Sequence, residues 1–190
     1  LYLLTFILCF EGKGLYRPSW MWGVVLAWLG GMAWLLADND TARENMLRQA
    51  DAQGVARERL IFAPRVSPAE YLARFALADL MLDTFPFNAG TTASDALWMG
   101  TPMVTRAGRT YISRMAGSLL TAVGLPELAT TTLADYEKLA VLLGRQPARV
   151  ASYKRYLAEH GRASPLFDLP QMVRDIETEF ERLALAHRAR

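Results

Sequence analysis

The sequence predicts an α/β fold, a Rossmann-like parallel sheet with helices on both faces that ends in helices. Three observations predict it. Short apolar runs recur between amphipathic stretches of helical length. Helix-start signatures follow the loops behind those runs, Ser67-Pro68-Ala69-Glu70 being the clearest. Glycines at 54, 100 and 124 stop helices before the next connection or apolar run begins. Strands that alternate with helices form parallel sheets, and such sheets bind ligands beyond the carboxyl ends of their strands. The loops after Phe10, Phe62 and Leu82 would share that edge.

In chain order, residues 3–9 form a run of strand length and composition, followed by a loop at 11–14. Residues 19–37 carry no charge. That length just spans a bilayer, but Gly30-Gly31 breaks the run where a buried helix would turn into a strand over 33–37, and the buried reading is preferred. Asp40-Thr41 caps a polar helix over 42–53, with Glu44 in its first turn and Gly54 as its stop. Residues 60–62 form a short strand. Ser67 then caps a helix with Pro68 first and Glu70 third, running to about 76. A strand over 80–82 ends at Asp83. A loop with Pro86, Asn88 and Gly90 leads to Thr91-Thr92, which opens a helix over 93–99, and Met103-Val104 begins the next strand. Residues 113–123 are helical, and 125–128 form a short connection. Thr131 or Thr132 caps a helix over 133–143. Residues 147–160 make a basic helix, 164–167 a tight anchor, and a last helix runs from Leu169-Pro170 to about 187. Met172, Val173, Ile176 and Phe180 lie at helical spacing on it. The count is four to six strands.

Composition narrows the function classes. A chain of 190 residues suits one domain, here a single lobe over 1–190 whose C-terminal helices occupy 147–190. The net charge of +2 gives no sign of a nucleic-acid-binding face. A single cysteine excludes an internal disulfide and a cysteine metal cluster, and fits a reducing, cytoplasmic setting. With only His160 and His187, both late in the chain, no histidine metal site is expected. The chain opens on Leu1 within an apolar run, which reads as a fragment of something longer.

The stretch from Asp83 to Thr105 carries the site candidates. A loop with Pro86, Asn88 and Gly90 that ends at a helix start offers unpaired amides and two hydroxyls, Thr91 and Thr92, to an anion such as a phosphate. The plain alternative is an N-cap. Asp95, in the first turn, either binds a ligand or favours the helix dipole. Tyr71 shares a helix with Phe75 and is either a core or a ring-stacking residue. Asp83 is expected to orient the loop through its amides. Arg114 either meets a phosphate or pairs at the surface. No nucleophile and base stand out, so the catalytic residues are unknown.

The blocks at 60–71, 78–105 and 113–128, together with Ser164-Pro165-Leu166-Phe167, resemble the catalytic half of the O-linked N-acetylglucosaminyltransferase and SPINDLY-like family. The resemblance covers roughly 33–185. It implies the C-terminal, nucleotide-sugar lobe of a GT-B glycosyltransferase that uses no metal cofactor. The implied partners are a nucleotide sugar, an acceptor protein, a second catalytic lobe and upstream tetratricopeptide repeats. It further implies base contacts from the backbone near Val66 and from Tyr71, diphosphate contacts at Gly90, Thr91 and Thr92, and ribose contacts at Asp95. Animal members carry a histidine where this chain has Gly90, and the better-known members one where it has Tyr71. The family's phosphate-binding lysine after the first strand has no match in spacing. Lys13 and Arg17 are both candidates, and segment 1–32 diverges from the pattern.

These features lead to the expectation of a donor lobe that transfers a sugar, N-acetylglucosamine from its uridine diphosphate donor, to Ser or Thr hydroxyls. Alternatives are a guanosine diphosphate fucose donor, or a non-catalytic scaffold module that keeps the fold. A membrane anchor over 19–37 is a third and weaker reading. Because GT-B chemistry lies between two lobes, the chain by itself is expected to be inactive.

Overall fold

The computed structural model describes residues 2–5, 32–35 and 40–188, with side chains described for 35 and 40–188. Six short strands form one parallel sheet: β1 (Tyr2–Thr5), β2 (Met32–Leu35), β3 (Leu60–Phe62), β4 (Leu80–Leu82), β5 (Met103–Arg106) and β6 (Ala129–Thr130). Their order is β3-β2-β1-β4-β5-β6. Leu3 pairs with Leu80, Ala33 with Leu60, Met81 with Met103 and Thr105 with Ala129. This is the doubly wound order, and the direction of winding reverses between β1 and β4. The expected Rossmann-like fold is therefore present.

Seven α-helices are described: α1 (Asp40–Ala52), α2 (Pro68–Leu77), α3 (Thr91–Trp98), α4 (Met115–Ala122), α5 (Leu133–Arg145), α6 (Pro147–His160) and α7 (Leu169–Arg188). Right-handed crossovers put α1 on one face and α2, α3 and α4 on the other. The apolar core divides accordingly. Leu35, Met46, Leu47, Ala50, Val55 and Leu60 pack between α1 and the β2–β3 side. A larger core joins Phe75, Met81, Leu82, Leu97, Met103, Leu120 and Leu128, and α5 and α6 close it with Tyr136, Leu143 and Leu157. All three β4 side chains are buried, as their unbroken apolar run predicts for a central parallel strand.

Polar ties fix the helices to the sheet. Thr101 Oγ1 donates to the Phe75 carbonyl at 2.7 Å, and Lys154 Nζ donates to the Ala78 carbonyl at 2.7 Å. Both hold the turn between α2 and β4. Gly54, Gly100 and Gly124 adopt φ of 69°, 80° and 86°, so the glycine stops are left-handed turns.

Some boundaries differ from the expected ones. Strand β6 was not anticipated, because two residues carry no readable periodicity. The helix expected at 113–123 begins as a 3-10 turn over Ile112–Arg114. Helix α1 starts at Asp40 itself, and α5 is capped by Thr132 rather than Thr131. The helix expected from 19, along with Lys13 and Arg17, lies outside the described residues. Among the described residues no helix is long and apolar enough to cross a membrane.

Two substitutions test this packing. Leu82→Ala, at a side chain 1% exposed, is expected to lower unfolding free energy by about 2–5 kcal/mol. At Gly100 an added Cβ meets no atom within 4 Å, so Gly100→Ala costs only the left-handed strain, about 1–2 kcal/mol. Denaturant unfolding measures both, and a larger loss at Gly100 than at Leu82 would contradict this assignment.

Candidate functional site

The site is built at the carboxyl end of β4. Asp83, 3% exposed, ends that strand and turns its carboxylate back into the loop behind it. Oδ1 accepts the amides of Thr84 and Ala89, each at 2.8 Å. Oδ2 accepts the Thr105 hydroxyl of β5 at 2.5 Å. The Tyr136 hydroxyl of α5 donates to the Asp83 main-chain carbonyl at 2.9 Å. The loop is tied a second time by the buried Asn88, whose Nδ2 donates to the carbonyls of Thr84 at 2.7 Å and Arg106 at 3.4 Å. Phe85 lies under the Arg106 guanidinium at 3.7 Å, a cation–π contact that joins the loops after β4 and β5.

This bracing delivers Gly90 to the N-terminus of α3. The N-cap is Gly90, with no side-chain cap, and the first helical bond runs from the Ser94 amide to the Gly90 carbonyl at 3.0 Å. The N-cap alternative for Thr91 and Thr92 is thereby corrected: both are already helical. The amides of Thr91, Thr92 and Ala93 precede the first intrahelical donor and take no acceptor within the helix. Thr91 is exposed, and Thr92 is half-buried beside it. A Cβ at position 90 would lie 2.4 Å from Met115 Sδ, so the start of α4 closes one wall.

The loop after β3 supplies the other wall. Ser67 and Glu70 form the full capping box: the Ser67 amide donates to Glu70 Oε2 at 3.1 Å and the Glu70 amide to Ser67 Oγ at 3.4 Å. Arg74 Nη1 donates to the Pro64 carbonyl at 2.7 Å. The loop is thus fixed, with Val66 at 36% exposure on it. One turn into α2, Tyr71 packs edge-on against Phe75, with ring centroids 5.3 Å apart. Its hydroxyl hydrogen-bonds with Asp95 and Thr92 of α3. The structure therefore unites Tyr71, Thr92 and Asp95, with Gly90 and Thr91 in the same helical turn. Tyr71 takes part through its hydroxyl as well as its ring.

Burial sets the charges. It pushes the Asp83 carboxyl up to about 7, against the opposing pull of the Thr105, Ala89 and Thr84 hydrogen bonds. Burial also raises Asp95, which the Tyr71 hydrogen bond partly offsets, and it raises Tyr71. The loop-orienting role expected of Asp83 is borne out by its bonds to two loop amides. Thr105 and Tyr136 were not singled out, because they bond to Asp83 from 22 and 53 residues further along the chain. Arg114 is exposed.

The family model for glycosyl transferase family 41 matches residues 19–176. The UDP-N-acetylglucosamine–peptide N-acetylglucosaminyltransferase of Caenorhabditis elegans is 35% identical over 144 residues, which are 76% of this chain and 12% of that protein. The probable enzyme of the same name, SEC, from Arabidopsis thaliana is 32% identical over 155 residues, 81% of this chain and 16% of its own length. A solved mutant O-GlcNAc transferase from Thermobaculum terrenum superposes with a TM-score of 0.82 at 27% identity, covering 95% of this chain and 35% of its own. The chain spans only a small part of these relatives.

The raised Asp83 carboxyl has a consequence for stability. Proton binding favours the folded state, so this stabilising contribution is complete below the ordinary value of 3.8 and is lost as pH rises through about 7. Asp83→Asn keeps an acceptor for both amides and does not titrate. Its stability relative to the parent is expected to rise between those limits by an amount on the order of 2–4 kcal/mol. Unfolding curves at several pH values check this, and a pH-independent difference would contradict it.

Proposed function

The chain belongs to glycosyl transferase family 41, and we propose that it is the donor-binding lobe of a protein O-glycosyltransferase. In this reading it holds a uridine diphosphate sugar, with N-acetylglucosamine as the transferred group, for attack by a Ser or Thr hydroxyl of an acceptor protein. The observation that carries the proposal is the uncapped N-terminus of α3 at Gly90, flanked by the Thr91 and Thr92 hydroxyls. Family membership and the uridine-diphosphate donors in the names of the relatives support the choice of ligand.

The chemistry follows from that placement. The acceptor oxygen bonds to the anomeric carbon as the bond from that carbon to the diphosphate oxygen breaks. Negative charge develops on the leaving phosphate. First-turn amides of α3 and the exposed Thr91 hydroxyl are the donors available to it, and the helix dipole adds to their pull. Asp95 has the right chemistry to accept ribose hydroxyls, and its hydrogen bond to Tyr71 fixes it beforehand. The exposed loop at Val66 and the ring of Tyr71 offer a backbone edge and a flat surface for the base. The hydroxyl proton goes to a group supplied outside this lobe, because the reacting carbon sits in a cleft between two lobes.

Titration calorimetry tests the reading. Uridine diphosphate is expected to bind the chain in preference to guanosine diphosphate. The Thr91→Ala/Thr92→Ala double variant is expected to lose about 1–3 kcal/mol, the scale of hydrogen bonds to a charged group. A preference for guanosine diphosphate would instead indicate a fucose-type donor, and failure of a folded chain to bind either would favour a non-catalytic module. The isolated chain is expected to give no sugar transfer; detectable turnover would overturn the two-lobe requirement.

A further inference from the structure

The Asp83 carboxylate lies one residue behind the proposed phosphate cradle, since its Oδ1 holds the Ala89 amide at 2.8 Å and Gly90 is the next residue. Resting on the donor-lobe reading, we propose that Asp83 is a positioning residue whose protonation is coupled to donor binding, so that the lobe takes up a proton as the diphosphate docks.

The hydrogen bonds around Asp83 permit both states. Ionised, the carboxylate accepts Thr84 N–H, Ala89 N–H and the Thr105 hydroxyl. With the proton on Oδ2, the carbonyl-like Oδ1 still has two lone pairs for the two amides. Oδ2 then donates to Thr105 Oγ1, and that hydroxyl turns from donor to acceptor. The loop is held in either state, but the charge behind the cradle is present in only one. A buried carboxylate is screened little by solvent or salt, and it opposes the arrival of a second anion at the neighbouring amides.

Among the described residues, few groups face this carboxylate. From β5 come Thr105 and, through its main-chain carbonyl to Asn88, Arg106. From α5 comes Tyr136, whose hydroxyl bonds the Asp83 carbonyl and whose ionisation burial pushes further up. From the loop come the Thr84 and Ala89 amides. No cation, histidine or second carboxylate is among the groups that shift Asp83. Among the described residues the proton therefore has no competing site in this cluster. The free carboxyl titrates close to neutrality, where a donor-induced rise changes its charge.

UDP-N-acetylglucosamine is the probe, because its diphosphate is esterified at both ends and does not titrate near neutrality. Calorimetry on the full chain from about pH 6 to about pH 8.5 is expected to show affinity falling about tenfold, the effect of a one-unit shift on binding. Repeating the titration in two buffers of different ionisation enthalpy is expected to show net proton uptake near neutrality, a readout that needs no variant. Asp83→Asn is expected to bind with the acid-limb affinity at every pH and with no proton uptake. Wild-type binding that is flat with pH and takes up no proton overturns the coupling while leaving the donor lobe standing. So does an Asp83→Asn variant that keeps the wild-type slope, or that folds but does not bind. A folded wild-type chain that binds the probe at no pH overturns the coupling and the donor reading together.

Discussion

A carboxylate without bulk water must have its lone pairs filled, and at the end of β4 that requirement organises the surrounding structure. Asp83 is buried, and it draws its donors from its own loop, from β5 and, at its main-chain carbonyl, from α5. The donors come from three separate parts of the chain, so satisfying the group fixes those parts relative to one another. Asn88 adds a second tie, its amide donating to the carbonyls of Thr84 in the same loop and Arg106 at the end of β5. The loop between Thr84 and Gly90 therefore arrives at α3 in a defined position, although its own sequence of small and turn-forming residues would allow many.

The position of that loop is what gives the start of α3 its chemistry. A side-chain cap would occupy the amides that a ligand needs, and Gly90 provides none. The capping box at Ser67 does the opposite for α2, closing its N-terminus so that Tyr71 stands at a fixed height beside α3. One helix start is sealed and its neighbour is open. The link between Tyr71, Thr92 and Asp95 spans the two, and the Tyr71 hydrogen bond offsets part of the rise that burial imposes on the Asp95 carboxyl.

The fold was legible because its signals are local. The capping box at Ser67 and Glu70, the left-handed glycines and the apolar run of β4 each announce an element within a few residues. The loop proposed to bind an anion was legible for the same reason, from Gly90 and two threonines before a helical stretch. The bonds that brace it were not, because Thr105 and Tyr136 resemble ordinary strand and helix residues until the sheet brings them to Asp83. Nor was the Tyr71 hydroxyl contact, since the packing of α2 on α3 sets it rather than any spacing along the chain. The two-residue strand β6 is too short to carry a pattern at all.

Gly90 and Met115 occupy what is in effect one volume, since any side chain at 90 begins within 2.4 Å of the thioether sulfur. Substitution at these two positions is therefore epistatic. A larger residue at 90, such as the histidine that the family resemblance associates with animal enzymes, requires the side chain at 115 to withdraw or shrink. Across related sequences the two positions should covary in size, with the room given up by one taken by the other. The glycine then marks one of two alternative ways to line the same wall, chosen jointly by residues 90 and 115.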